Sequence, residues 1–598
     1  VPDMERGDAY VDQGGNPQQY HLFNKRERLL LKKVWTMAAT LVLIAAVALT
    51  GCSKSGNDKA NGDAAASSPS GSNASGTESA SPSNPVTIKV FADEDTANNQ
   101  DLATNAFSKE LENKFNIKFE WTTVPFDGAP EKRQISLASG DYPDVFLLVS
   151  YIDHFSQSDL LRYGQQGVIL PLNDLIDQYA PNIKKALDGN PDYKAMNTAP
   201  DGKIYGLNGL SACYHCSFPN KMWVNTTWMK KLGIETPKTT DDFKKMLEAF
   251  KTEDPNGNGK QDEIPLSGST ETFGVHVIPF LMNAFIYDDD HSYLMMNDGK
   301  VDLAANKPEW KEGLQYIKSL YDEGLIDPGA FTQNADAFKK IGENKDAQIL
   351  GAGAGMHPAI FVDIADGNRY SKDYDSIPPL VGPNNVQFAT YSYTGNAGAS
   401  FVITNKASKD VQIAAIKALD YIFTFQGQLE ANAGIENVDW RKPQAGEKAL
   451  DDTMQPQWAS ISLPAGEKPH NNAWGSLGQY NLSDEFRGSQ VQSTDIYNDD
   501  GYERRLFDAT RDNYDGKQPK QVFPYWGVWI DPSSADQAGM LQTNITNYID
   551  QSALQFITGN KSLDKDWDAY VKGFDGLDLQ SYLDIMQKAY DSSAFGKN

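Results

Sequence analysis

From Val86 onward, short apolar runs alternate with longer amphipathic ones, and this alternation constrains the fold more than any other feature of the chain. "VTIKVFA" has the composition of a strand, and "NNQDLATNAFSKELENKFN" carries an apolar face at helical spacing. "IKFEWTTV" is a second strand, "EKRQISLASGD" a helix with its glycine stop, and "YPDVFLLV" a third strand. Strands separated by helices imply a parallel α/β sheet. Clefts in such sheets open at the carboxyl ends of strands, which puts Asp93, Glu94 and the Ser150-Tyr151 turn at a rim. Further helices are predicted after caps at Thr239 or Thr240 and at Ser408, and in two segments near the C-terminus, 546–560 and 565–591.

The first 85 residues read differently. Lys25, Arg26, Arg28, Lys32 and Lys33 precede the apolar run Ala38 to Thr50. That run is shorter than the about 20 residues a transmembrane helix needs and fits the core of an export signal. It ends in Leu49-Thr50-Gly51-Cys52, which resembles the lipobox of bacterial lipoproteins. The resemblance implies cleavage before Cys52 and acylation of its sulfur, with residues 1–51 as signal and upstream extension. Residues 53–85 hold no apolar side chain larger than Ala, so 52–85 is expected to be a disordered, lipid-anchored tether. Its r.m.s. span would be roughly 30 Å.

The formal charge of −26 excludes the basic footprint that a nucleic-acid partner requires. "DPNGNGKQDEIP", 254–265, spaces oxygen-bearing residues as a calcium loop does. Asp254, Asn256 and Asn258 occupy positions 1, 3 and 5, Gly259 the bend, and Lys260 position 7, where only a carbonyl is needed. Pro265 stands where an EF-hand has its closing Glu, so Asp262 and Glu263 are expected to substitute for it. The plainer reading is an Asn-Gly turn between a helix and a strand. Cys213 and Cys216 lack the second pair a structural zinc would need. In an exported chain a local disulfide is expected, with free thiols as the other reading.

Sugar rings stack their C–H faces on aromatic side chains, which makes the tryptophans candidates for ligand contact. Trp440 ranks first because it follows the polar stretch "GIENVD" and precedes Arg441; Trp223 and Trp526 follow. Trp228, spaced helically with Leu232, is assigned to a core. No HExxH, GxSxG or Walker A pattern occurs, and "GAGAG" (351–355) lacks dinucleotide-loop spacing and reads as a Gly-rich crossing segment.

"SGDYPDVF" (139–146), "GVILPLNDLI" (167–176), "DGKIYGL" (201–207), "MWVNTTWMKKLGI" (222–234), the 254–268 loop, "GIENVDW" (434–440) and "FITGNKSLDKDWDAYVKGF" (556–574) occur in an order that resembles the carbohydrate-binding (family 1) extracellular solute-binding proteins of ABC importers. The chain looks most like the large lipoprotein members of Gram-positive bacteria, related to alginate-oligosaccharide-binding proteins. The resemblance implies a two-lobed, type II periplasmic-binding-protein-like α/β fold with discontinuous lobes: 86–206 with about 341–400, and 207–340 with about 401–598. "DGKIYGL" would mark the first crossing and "ASFVITNKASKD" a return to the second lobe. It further implies a monomeric receptor without enzymatic activity, anchored by lipid at the outer face of the membrane, that hands an oligosaccharide to ABC permease subunits. In those relatives the residues matching Asp254, Asn256, Asn258, Lys260, Asp262 and Glu263 hold a structural Ca2+. A carbohydrate-active enzyme and a receptor for a non-sugar solute such as a peptide are the alternatives.

Overall fold

The computed structural model describes residues 84–598, apart from 99, 272–273, 365–369, 394–396, 465–466 and 598. The expected signal segment, Cys52 and the tether up to residue 83 lie outside the described residues. Two main sheets are built from β1 (Val86–Glu94), β2 (Ile117–Pro125), β3 (Val145–Leu147), β4 (Lys221–Asn225), β5 (Ala352–Gly355), β6 (Tyr374–Ile377) and β7 (Phe401–Ile403).

The first sheet has the order β7-β3-β1-β2, with β1, β2 and β3 parallel and β7 antiparallel to β3. Alternation along β1 sends Ile88, Val90 and Ala92 to one core and Phe91 to another. Helix α1 (Ala106–Phe115) starts where the Asn105 side chain accepts the N–H groups of Phe107 and Ser108, and buries Phe107 and Leu111. Helix α2 (Ala129–Ser139) covers the opposite face through Ala129 and Leu137. Its Arg133 meets Asp153 through Nε at 3.0 and 2.9 Å and donates to His154 O at 2.9 Å. The pair is buried and fixes the turn that follows β3.

The second sheet centres on β4, buried along its whole length, with β5 and β6 antiparallel on either side. "GAGAG" is therefore not a crossing segment: most of it is β5. Its small residues let aromatic rings lie against the strand, since a Cβ on Gly353 would sit 2.9 Å from the Phe361 ring. Helices α3 (Thr240–Thr252) and α4 (Pro308–Asp322) pack on this body. Thr239 is the cap of α3, in a capping box with Asp242. After β7 come α5 (Lys409–Ile422), capped by Ser408, then α6 (Tyr502–Asn513), α7 (Pro532–Ile557) and α8 (Leu579–Ser592). Helix α5 returns to the first core, whereas α7 and α8 belong to the second. Among the described residues no helix is long and apolar enough to cross a membrane.

Strand pairing corrects the expected crossings. Leu207 still bridges to Phe401 in the first sheet, and Leu210–Ser211 pair with Asn481–Leu482, so the first crossing lies after "DGKIYGL", between Ser211 and Lys221. Residues 352–355 and 374–377 belong to the second sheet, and 401–403 to the first, the reverse of the division expected at 341 and 401. The apolar triplet Phe401-Val402-Ile403 completes the first sheet and feeds both of its cores.

Breaking a buried ion pair on one side leaves an uncompensated charge. Arg133→Met is expected to lower the unfolding free energy in urea by about 3–5 kcal/mol. A loss below about 1 kcal/mol would show that the pair behaves as a solvated one.

Candidate ligand site at the joint between the two sheets

The segment after Phe523 joins the two bodies. Phe523 and Val528 lie in the second body's core, while Trp529 lies in the Phe91 core of the first sheet and donates its indole N–H to Ala195 O at 3.3 Å. Between them Trp526 donates to Asp192 Oδ1 at 3.1 Å and stacks on Tyr393, with centroids 5.1 Å apart and planes 25° from parallel. Tyr525, Phe595 and Tyr391 meet the same indole edge-on at 5.4, 6.0 and 6.4 Å. Tyr525 Oη and Ser392 Oγ are 2.6 Å apart. Gln157 Nε2 donates to Trp526 O at 3.2 Å from the first body. Tyr391, Tyr393, Tyr525 and Asp192 are half-buried, so this cluster keeps open surface at the joint.

Below it lies a polar floor at the carboxyl ends of β1 and β3. Ser400 Oγ donates to Tyr480 Oη at 3.1 Å and reaches Asn208 Oδ1 at 3.3 Å, and Tyr193 Oη donates to Asn208 O at 2.7 Å. Asp93 is fully buried here; Oδ2 accepts the Val149 N–H at 2.8 Å and Oδ1 has no partner among the described residues. Burial pushes its carboxyl up to about 8, with Asp153 adding to the rise and the Val149 N–H and Arg133 opposing it. On another side, Glu503 of α6 meets His215 at 3.2 Å and Arg487 at 3.1 Å. Burial alone would raise this carboxyl, but His215 and Arg487 hold it well below the usual carboxylate range.

The predicted site residues divide between this joint and the cores. Trp526 is in the cluster. Asp93 is floor rather than rim, and Glu94 is half-buried at the end of β1. Tyr151 is half-buried against the first core and donates to Ser476 Oγ at 2.5 Å. Trp223 is a correction: in the middle of β4 it is fully buried, donates to Gly355 O at 3.0 Å and packs with Phe361 and Tyr374. Trp440 is another, with its indole committed to Gly434 O at 3.0 Å in a core with Trp458 and Phe486. Arg441 is held by both oxygens of Glu447 at 2.9 and 2.7 Å. Cys213 and Cys216 form a disulfide in the first crossing. Tyr525 opens "YWGVW" (525–529), a segment whose aromatics suggest a cleft lining, whereas Tyr391, Tyr393 and Asp192 were missed, with the "YSY" of 391–393 in an otherwise polar stretch as their signal.

The 254–263 loop is a tight turn held together by its own side chains. Asp254, Gly257 and Gly259 take positive φ. Asp254 Oδ1 accepts from Gly257 N and Asn258 N at 3.0 and 3.1 Å, and Oδ2 from Gly259 N at 3.0 Å. Asn256 and Asn258 both donate to Asp262. Lys231 Nζ ties the loop through Pro255 O at 2.7 Å. Both carboxylate oxygens of Glu263 are shielded from solvent and have no partner in hydrogen-bonding geometry among the described residues. Burial raises this carboxyl, and Asp254 and Asp262 raise it further. Desolvated oxygens beside two other carboxylates fit a hard cation that takes oxygen ligands.

Two α/β bodies that exchange chain more than once, with aromatic and polar groups gathered at their joint, define a two-lobed binding protein. The chain belongs to the bacterial extracellular solute-binding protein family, whose sequence profile matches residues 96–428. It is 32% identical over 499 residues to the fructooligosaccharide ABC transporter substrate-binding protein FusA of Streptococcus pneumoniae serotype 4, covering 82% of this chain and 87% of that one. The structure of S. pneumoniae FusA in complex with kestose superposes with a TM-score of 0.61 at 29% identity, over 84% of this chain and 99% of that one. An EF-hand mutant of FusA in complex with fructo-nystose gives 0.60 at 29% identity, with the same coverage. An extracellular solute-binding protein of Bifidobacterium longum subsp. infantis shares the fold, with a TM-score of 0.67 at 24% identity, over 86% and 99% of the two chains.

Because the Asp93 carboxyl is raised, the native state holds a proton that the unfolded chain releases near pH 4, and stability falls as pH rises from about 4 to about 8. Asp93→Asn keeps an acceptor for Val149 and removes the titration. Its melting temperature relative to the parent is expected to rise between pH 5 and pH 8. A gap that does not change with pH would contradict the assignment.

Proposed function

We propose that this protein is a lipid-anchored extracellular receptor that captures an oligosaccharide at the joint between its lobes and presents it to an ABC permease. The observation that carries this reading is the half-open cluster of Tyr391, Tyr393 and Tyr525 around Trp526 and Asp192. Tyrosine faces suit the C–H faces of sugar rings, while Asp192, Ser392 and the phenols suit their hydroxyls. FusA, whose name describes a fructooligosaccharide transporter component, supports it. Lobes joined by crossing segments close on a ligand by bending there, and a sugar that touches both lobes favours the closed form by its differential affinity.

Under the same proposal Ca2+ sits in the 254–263 loop, held by the side chains of Asp254, Asn256, Asn258, Asp262 and Glu263 and by the Lys260 carbonyl. The ion offsets most of the charge of three carboxylates in one loop and pins the chain between α3 and the extended segment beside β5. The FusA EF-hand mutant whose structure is described with fructo-nystose is consistent with a structural role.

Calorimetric titration with neutral and acidic oligosaccharides tests the receptor reading: saturable binding is expected, with no product formed. Turnover would make the protein an enzyme, and no saturable sugar binding would favour a peptide or other solute. Chelation is expected to remove the stability that bound Ca2+ contributes, about 2.7 kcal/mol at a hundredfold excess over Kd, while sugar affinity changes little. Loss of sugar binding with an unchanged melting temperature would reverse these roles.

A further inference from the structure

We infer that Asp192 is a specificity-determining residue of this site, and that it selects uncharged oligosaccharides over uronates; the inference rests on the receptor reading above. Asp192 Oδ1 is fixed by the Trp526 indole at 3.1 Å. Oδ2 has no hydrogen-bond partner among the described residues, and the side chain is half-buried beside the Tyr391–Tyr393 face. A carboxylate oxygen oriented in this way accepts a sugar hydroxyl as a charge-assisted bond.

Carboxylates gather around the cluster, while the His291 ring meets Tyr525 edge-on with centroids 6.4 Å apart. Asp192 and Asp484 act on the Tyr393 phenol, Asp192 and Asp515 on Tyr391, and Asp289 on Tyr525. Two lysines of this region are already committed. Lys221 is fully buried and donates to His215 O and Phe218 O, and Lys517 donates to Gln387 Oε1 at 2.9 Å. Among the described residues, the cation–ring contacts involve other aromatics than Tyr391, Tyr393, Tyr525 and Trp526. Among the described residues no guanidinium or ammonium lies over these four rings, so a uronate carboxylate entering the cluster meets mostly like charge, which discriminates by repulsion rather than by shape.

The test is calorimetric titration of the parent and of Asp192→Asn with kestose, maltotriose and xylotriose, and with trigalacturonate and trimannuronate. Asparagine keeps an acceptor for the Trp526 indole, and a melting curve reports whether the variant folds. The parent is expected to bind at least one neutral trisaccharide and neither uronate. The variant is expected to bind that neutral sugar about 10- to 100-fold more weakly, the worth of a hydrogen bond to a charged group. Uronate binding by the parent would overturn the charge selectivity and leave the receptor reading intact, whatever the variant does. A folded variant that binds the neutral sugar within threefold of the parent would overturn the role of Asp192. Failure of the parent to bind any of the five would count against the receptor reading and the inference together.

Discussion

Strand β7 lies antiparallel to β3, with Phe401 opposite Leu147 and Ile403 opposite Val145, and the rest of the joint follows from that pairing. The chain reaches β7 from the second sheet, so the first sheet is finished by residues that have just left the second. Ser400, one residue before β7, is thereby set against Asn208 and Tyr480. Tyr391 and Tyr393, a few residues earlier, are set against Trp526. A slip of one residue would turn Phe401 and Ile403 out of one core and Val402 out of the other, so the register is strongly determined.

What was legible in the sequence was mostly local. The strand–helix alternation, the Ser408 and Thr239 caps and the calcium-type loop each depend on residues within a few positions of one another. What was not legible depended on partners that no local pattern indicates. "FVI" reads as a strand, but nothing near it says which sheet it joins. Trp440 sits in a polar stretch, yet Trp458 and Phe486 come from elsewhere to bury it. Arg441 looked available because the carboxylate that takes it, Glu447, lies in a stretch with no periodic signal. Asp192 carried no signal either, since its meaning comes from an indole that approaches from residue 526.

The protein handles buried carboxylates in contrasting ways, and the contrast separates scaffold from function. Asp153 is neutralised by Arg133, and Glu503 by His215 and Arg487. Asp93 has no ion-pair partner among the described residues, and burial favours its protonated form. Glu263 has no ion-pair partner among the described residues, and burial with Asp254 and Asp262 beside it outweighs the backbone N–H groups that oppose the rise. Carboxylates already satisfied hold the fold together. A shielded carboxylate set among other carboxylates is the feature on which the proposed Ca2+ rests.

The long connection into β7 has a kinetic consequence. Thr404, just past the strand, donates to Pro143 across 261 residues of chain. Contacts this distant form only after the intervening loop has been closed, which slows folding. A chain threaded out of the cell from its N-terminus exposes β1, β2 and β3 long before β7 arrives. Until then the β3 edge has a row of unpaired backbone groups, the kind of surface that recruits strands from other chains. For an extracellular solute-binding protein, correct folding therefore depends on that edge staying solitary until the fourth strand is delivered.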